Sequence, residues 1–247
     1  MDISANRSSV IWGDCENWLK YVPHNSAKCI YIDPPFFSQK NYEIIWGNGH
    51  EKRCFTDRWK GGKEHYLAWM RTKLLEAKRI LAPDGSIFLH CDYRANYRLR
   101  MLMDEIFGEQ NFVNEIIWHY RRWTGKTQNF QRLYDNILFY SKDNKLRKFY
   151  PLFSDYTEGS KARKLGGKLV RYSKGQKPYF VSDKSLNEQG VRMGNVWTEI
   201  PFLAPSSKER IGYRTQKPME LIKRIIECST KERELVLDFF GGGELQP

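Results

Sequence analysis

The chain has 247 residues, 40% hydrophobic and 15% aromatic, enough to bury a core in one large domain or two small ones. Its net charge of +12 points to a polyanionic partner, nucleic acid first. No apolar run approaches the roughly 20 residues that span a bilayer. "MDISANRSSV" lacks an apolar signal core, so a cytoplasmic protein without a membrane partner is expected. Five scattered cysteines with no C-x-x-C pair give no disulfide framework and no metal site.

"SSVIWGD", residues 8–14, reads as a short strand ending in Gly-Asp, and "CENWLKYV" as a short helix. Cys29–Ile32 reads as a buried strand that runs into Asp33-Pro34-Pro35-Phe36. Neither proline can donate to a ladder, so the strand stops and the backbone stays stiff and extended. A rigid shelf results, carrying a carboxylate, proline carbonyls and an aromatic face; taken alone, a structural turn capping the strand accounts for it equally. From Glu64 to Leu81 the apolar residues Leu67, Met70, Leu74, Ala77 and Leu81 fall at helical steps. "APDGS" is a turn signal, Ser86–His90 a strand, and Arg94–Phe107 a second amphipathic helix ended by Gly108. Strands are expected at Glu115–His119 and Asn136–Tyr140.

Strands alternating with helices imply an α/β fold with a mainly parallel sheet, whose ligands lie beyond the carboxyl ends of the strands. Asp14, Asp33 and His90-Cys91-Asp92 fall at such ends. From Arg121 to Gly190, sixteen Lys and Arg face six Asp and Glu, and twelve aromatics are interleaved. That pattern suits phosphates and exposed bases; a solvated loop is the plainer reading of the charge alone. "RTQKPMELIKRIIECS" places Pro218 near a helix start, with Leu221, Ile222, Ile225 and Ile226 on its apolar face. "ELVLDFFGGG" is a strand, an acid and glycines, open to a nucleotide-like ligand but without the Gly-Lys-Ser/Thr of a phosphate loop.

Together these stretches resemble the amino-group DNA methyltransferases that use S-adenosyl-L-methionine. Asp33-Pro34-Pro35-Phe36 is similar to their D-P-P-[YF] catalytic motif, and Asp238-Phe-Phe-Gly-Gly-Gly to their cofactor loop, D-P-F-x-G-x-G-T. Thr215-Gln-Lys-Pro218 resembles the segment before that loop, and the motif order matches the circularly permuted β group. The resemblance implies a Rossmann-like α/β sheet in three parts: a catalytic part at 1–120, a DNA-binding target-recognition region at 121–205, and the start of a cofactor-binding part at 206–247. Implied cofactor contacts are Asp14, Thr215, Gln216, Lys217, Asp238, Phe240, Gly241 and Gly242, with Lys217 placed to pair with the cofactor's carboxylate; a plain helix cap is the alternative for Thr215. Candidate DNA contacts are Arg121, Arg122, Lys126, Arg163, Lys164, Lys168 and Arg171. Double-stranded DNA is the implied substrate, and a cognate restriction endonuclease the implied companion.

Asp33 and a proline carbonyl would accept hydrogen bonds from an exocyclic base amine, and Phe36 would stack on a base flipped out of the duplex. No cysteine follows a proline, so C5 chemistry through a Pro-Cys thiol is not indicated. The family resemblance favours N6 of adenine, with N4 of cytosine as the alternative. Phe239 stands where the family has proline; Glu244 and Leu245 stand where it has glycine and threonine, and its next helix and strand have no counterpart before Pro247. The sheet is therefore expected to be incomplete at that edge. An inactive DNA-binding remnant and a nuclease are the competing readings, separated by cofactor affinity and by magnesium-dependent cleavage.

Overall fold

The computed structural model describes residues 8–11, 13–46, 51–122, 125–126, 128–161, 169–171, 179–181, 188–204, 206–211 and 215–241. The chain divides into two compact units, one of residues 1–150 with 195–247, the other of 151–194. The second is narrower than the 121–205 region read from the sequence, and residues 121–150 fold with the first.

The first unit is built on a six-stranded sheet ordered β11-β5-β6-β4-β1-β12. Its strands are β1 (Ala27–Ile32), β4 (Leu81–Cys91), β5 (Phe112–His119), β6 (Tyr134–Ser141), β11 (Val196–Trp197) and β12 (Val236–Asp238). Among the described residues, a hairpin of β2 (Asn41–Trp46) and β3 (Glu51–Thr56) forms a separate two-stranded sheet. β1 lies parallel to both β12 and β4, β5 parallel to β11, and β6 runs antiparallel between β4 and β5. Three of the five pairings are thus parallel, and β12 is the outer strand of the described sheet.

The centre of the sheet is apolar because it is covered. Cys29, Ile30, Ile32, Ile87, Phe88, Leu89, Ile137 and Leu138 are all fully buried. Such uninterrupted apolar runs suit strands packed on both faces rather than a half-wet sheet. Helix α2 (Gly62–Ile80) buries Tyr66, Met70, Leu74 and Ala77 on one stripe, and α3 (Asn96–Phe107) buries Leu99, Leu102, Met103 and Ile106. Gly108 ends α3 at φ 94, a conformation open mainly to glycine. Helix α4 (Met219–Ser229) starts directly after Pro218 and buries Leu221 and Ile225.

Three local expectations change. Residues 8–11 and 13–14 form no strand; Asp14 instead caps the short helix α1 (Cys15–Leu19), its Oδ1 accepting the Glu16 N–H at 3.0 Å. The Ala82–Ser86 turn lies inside β4, where the register with β1 slips between Ala27 and Cys29. A bulge absorbs the Pro-Asp-Gly, so the ladder continues past it. The β2–β3 hairpin has no counterpart among the expected elements.

In the second unit β7 (Phe153–Ser154) pairs antiparallel with β10 (Val191–Arg192), and β8 (Leu169–Arg171) with β9 (Tyr179–Val181).

Candidate active site

Asp33 follows the last residue of β1, and Asp238 is the last of β12. Because Tyr31 pairs with Asp238 in a parallel ladder, the two acids leave neighbouring strands on the same edge. This is where an open α/β sheet receives its ligands. Lys217, just ahead of α4, reaches into the same edge. Its Nζ lies 2.5 Å from Asp33 Oδ2 and 5.2 Å from the Phe36 ring centroid. Both partners are largely shielded, with side-chain exposures of 12% and 17%. The lysine anticipated on a cofactor carboxylate therefore holds the catalytic-motif carboxylate here.

The shelf is held from beneath. Pro34 is buried, and the Pro35 carbonyl accepts the Tyr66 hydroxyl at 2.9 Å. Beyond Phe36 the chain turns through two left-handed residues, Phe37 (φ 59) and Gln39 (φ 59). Such conformations are uncommon away from glycine and need outside support. Asp57 supplies it: its buried carboxylate accepts the N–H groups of Phe37 (3.0 Å) and Ser38 (2.5 Å) and the Trp59 indole (2.9 Å). Its own backbone bonds to Gln39 and Lys40 close the turn.

Behind Phe36 stands a buried polar chain. The His90 ring stacks on Phe36, with centroids 5.7 Å apart and planes at 22°. Its Nδ1 is 2.9 Å from the Tyr31 hydroxyl, and its Nε2 is 3.3 Å from Asp135 Oδ2. The Tyr120 hydroxyl donates to Asp135 Oδ1 at 3.0 Å. Burial works to raise the Asp135 pKa, but the hydrogen bond and charge of His90, the charge of Lys217 and the Tyr120 hydroxyl outweigh it and hold the carboxyl below the usual range. Burial, reinforced by Asp33, Asp238 and Asp135, pushes the Tyr31 phenol well up, so it stays un-ionised.

On the β12 side, Asp238 Oδ1 accepts the Phe240 N–H at 2.8 Å, a tight turn that starts the glycine loop. Phe240 packs on Trp69 at 5.6 Å and Phe239 on Trp18 at 6.4 Å. Trp69 also touches Trp59 and Tyr66, so one aromatic cluster on α2 joins the proline shelf to the loop after β12. Gln216 braces the approach to α4, its Nε2 donating to the Glu209 carbonyl and its Oε1 accepting the Ile211 N–H. The Thr215 carbonyl lies 3.4 Å from Lys217 Nζ. Gly241 is described; Gly242 lies outside the described residues.

Of the candidate DNA contacts, Arg121, Arg122 and Lys126 are exposed on the loop between β5 and β6, with Arg122 stacked 4.0 Å from the Phe202 ring centroid. Arg171 is a β8 residue, and Arg163, Lys164 and Lys168 lie outside the described residues. Asp57, Tyr66, Trp69, Tyr120 and Asp135, which the sequence did not single out, also bear on this edge. They carry no motif and reach the site only through tertiary packing.

An open α/β sheet with paired motifs at adjacent parallel strand ends defines the class of fold. The family model for DNA methylases, N6_N4_Mtase, matches residues 27–244, and the chain belongs to that family. It is 27% identical to the type II methyltransferase M.EcaI of Enterobacter cloacae over 95% of this chain and 62% of the relative. Among solved structures, PvuII DNA methyltransferase (cytosine-N4-specific) superposes with a TM-score of 0.57 at 14% identity, covering 92% of this chain and 71% of that one. The Thermus thermophilus protein TTHA0409 complexed with S-adenosyl-L-methionine gives 0.52 at 17% identity, with coverages of 92% and 76%. The chain spans 62%, 60%, 62% and 48% of the length of four curated relatives it matches.

Proposed function

We propose that this chain transfers a methyl group from S-adenosyl-L-methionine to the N6 amine of an adenine flipped out of double-stranded DNA. The observation that carries the reading is the meeting of Asp33, Phe36 and Lys217 at the strand edge beside Asp238. The donor set suits such a cofactor: Lys217 offers a cation for its carboxylate, and the loop from Asp238 to Gly241 offers backbone without bulky side chains at its glycine. When bound, the cofactor supplies the electrophilic methyl.

The chain's own residues would do the rest. Asp33 accepts one hydrogen of the base amine. The Pro34 carbonyl is the better second acceptor, since that of Pro35 already receives Tyr66. Two acceptors in fixed positions favour a pyramidal nitrogen and stabilise the positive charge that grows on it. Phe36, backed by His90, gives the base a stacking face that cannot recede. The described cysteines support amine rather than thiol chemistry: Cys15, Cys29, Cys91 and Cys228 are buried, and burial pushes Cys29 and Cys228 up to about 12. The basic region at 121–205 would grip the duplex, Arg121, Arg122 and Lys126 among its contacts.

The test is methyl transfer from labelled S-adenosyl-L-methionine to unmethylated DNA, followed by digestion to nucleosides. Label in N6-methyladenine is expected, and Asp33→Ala should abolish it while DNA binding survives. Label in N4-methylcytosine would keep the mechanism and change the base. No label, with DNA binding intact, would overturn the enzymatic reading.

A further inference from the structure

The loop that joins β5 to β6 carries Phe130 with its ring wholly in solvent, at 102% relative exposure. A phenylalanine so placed loses all the burial that normally justifies it. The residues around it have one sign of charge: Arg121, Arg122, Lys126 and Arg132 are exposed, and no Asp or Glu occurs from Arg121 to Tyr134. The described residues of the loop are nonetheless tied down. Tyr120 N–H bonds the Leu133 carbonyl at 2.8 Å across its root, Gln131 Nε2 reaches the Gly125 carbonyl at 2.7 Å, and the Arg132 guanidinium stacks 4.0 Å from the Tyr93 ring centroid.

Topology puts this loop on the catalytic edge. β6 is antiparallel to β4, with Asn136 opposite Cys91, and β5 is antiparallel to β6, with His119 opposite Tyr134. The loop therefore opens at the same end of the sheet as Asp33. Its root is also tied to the site: Tyr120 and Asp135, on either side of the loop, hydrogen-bond in sequence to each other and to His90, on which Phe36 stacks.

An exposed apolar ring on a loop whose charged residues from 121 to 134 are all cations fits a polyanion with a stacked apolar interior, which describes duplex DNA. We propose that Phe130 is a wedge that enters the base stack at the place a flipped base leaves, while Arg121, Arg122, Lys126 and Arg132 hold the flanking phosphates. Extruding a base leaves a gap that costs stacking, and an inserted apolar side chain refills it. The wedge rests on the base-flipping reading above, but its test does not require methyl transfer or knowledge of the target sequence.

The probe is a short duplex of arbitrary sequence with one central abasic site, competed against the same duplex intact for binding to the full chain. The wild-type chain should prefer the abasic-site duplex. Phe130→Ala should reduce that preference roughly tenfold, the scale of one aromatic–base stack, while affinity for the intact duplex and its salt dependence hold. Phe130→Trp should restore the preference. Because the ring is wholly exposed, the alanine variant should fold as the parent does. Equal preference in wild type and Phe130→Ala, or none in wild type, would overturn the proposal. So would altered self-association in Phe130→Ala with the abasic preference retained, since the ring would then serve contacts between copies of the chain. Methyl transfer measured on the same preparations decides the enzymatic reading separately: a preparation that keeps the Phe130-dependent preference but transfers no label would refute the chemistry and leave the wedge standing.

Discussion

Lys217 and Asp33, 184 residues apart in the chain, meet with Nζ 2.5 Å from Oδ2. The carboxylate proposed to receive a base amine is thus already occupied by a cation. A cofactor bearing its own carboxylate would offer Lys217 a second partner and release Asp33. Cofactor and base would then bind in favourable order, the first preparing the acceptor for the second.

Lys217→Met tests that exchange. The lysine's charge-assisted bond to the cofactor carboxylate is worth about 1.5–3 kcal/mol, so the Kd for S-adenosyl-L-methionine should rise roughly tenfold to a hundredfold. Calorimetric titration without DNA would measure it. An unchanged Kd with a fallen kcat would mean that Lys217 serves Asp33 alone.

Asp135 gives a prediction in pH. Its carboxyl is held below the usual range by His90, Lys217 and Tyr120, against the opposing effect of burial. A depressed folded-state pKa contributes stability that is fully present above the unfolded value of about 3.9 and is lost as pH falls through the lower folded value. Asp135→Asn should therefore lower stability by about 1–3 kcal/mol at neutral pH, and the gap to the parent should close in acid below about pH 4. Melting temperatures of both chains across that range would show it. A gap independent of pH would place the cost in packing instead.

Asp57 is the third. It accepts three N–H donors and holds Phe37 and Gln39 in left-handed conformations directly after Asp33-Pro34-Pro35-Phe36. Asp57→Asn keeps the shape but turns an amide N–H₂ toward groups that also donate. We expect a loss of about 1–3 kcal/mol in urea denaturation and a fall in kcat, with cofactor affinity unchanged because the turn lies on the base side. An unaltered kcat would show that the turn is structural only.

What the sequence disclosed, and what it hid, divides along one physical line. Strands β1, β4, β5 and β6 and helices α2, α3 and α4 were legible because apolar spacing reports burial directly. The placing of Asp33 and Asp238 at strand ends was legible because an apolar run stops at each. Residues 8–14 misled because an apolar run before Gly-Asp also suits a chain leading into the cap of α1. Ala82–Ser86 misled because a turn signal does not say whether the chain reverses or bulges. Asp57, Tyr66 and Asp135 were hidden for a third reason. A buried acid or tyrosine with long-range partners has no local pattern, and each here lies 19 to 45 residues from a group it holds.

Tyr66 lies between these cases and gives the last prediction. Its ring belongs to the buried stripe of α2, where the spacing pointed to Leu67 instead, and its hydroxyl serves the proline shelf, which no spacing can show. Tyr66 is fully buried, and burial pushes its phenol well up, so it remains a neutral donor to the Pro35 carbonyl at every working pH. Tyr66→Phe keeps the contacts with Phe37, Trp59 and Trp69 and removes only that donor. One neutral hydrogen bond is worth about 1 kcal/mol, so stability should fall by about that amount. If the hydroxyl also keeps the shelf from shifting under the base, kcat should drop roughly fivefold while the Kd values for cofactor and DNA hold. If stability falls and kcat does not, the two prolines are stiff enough to place the acceptors unaided.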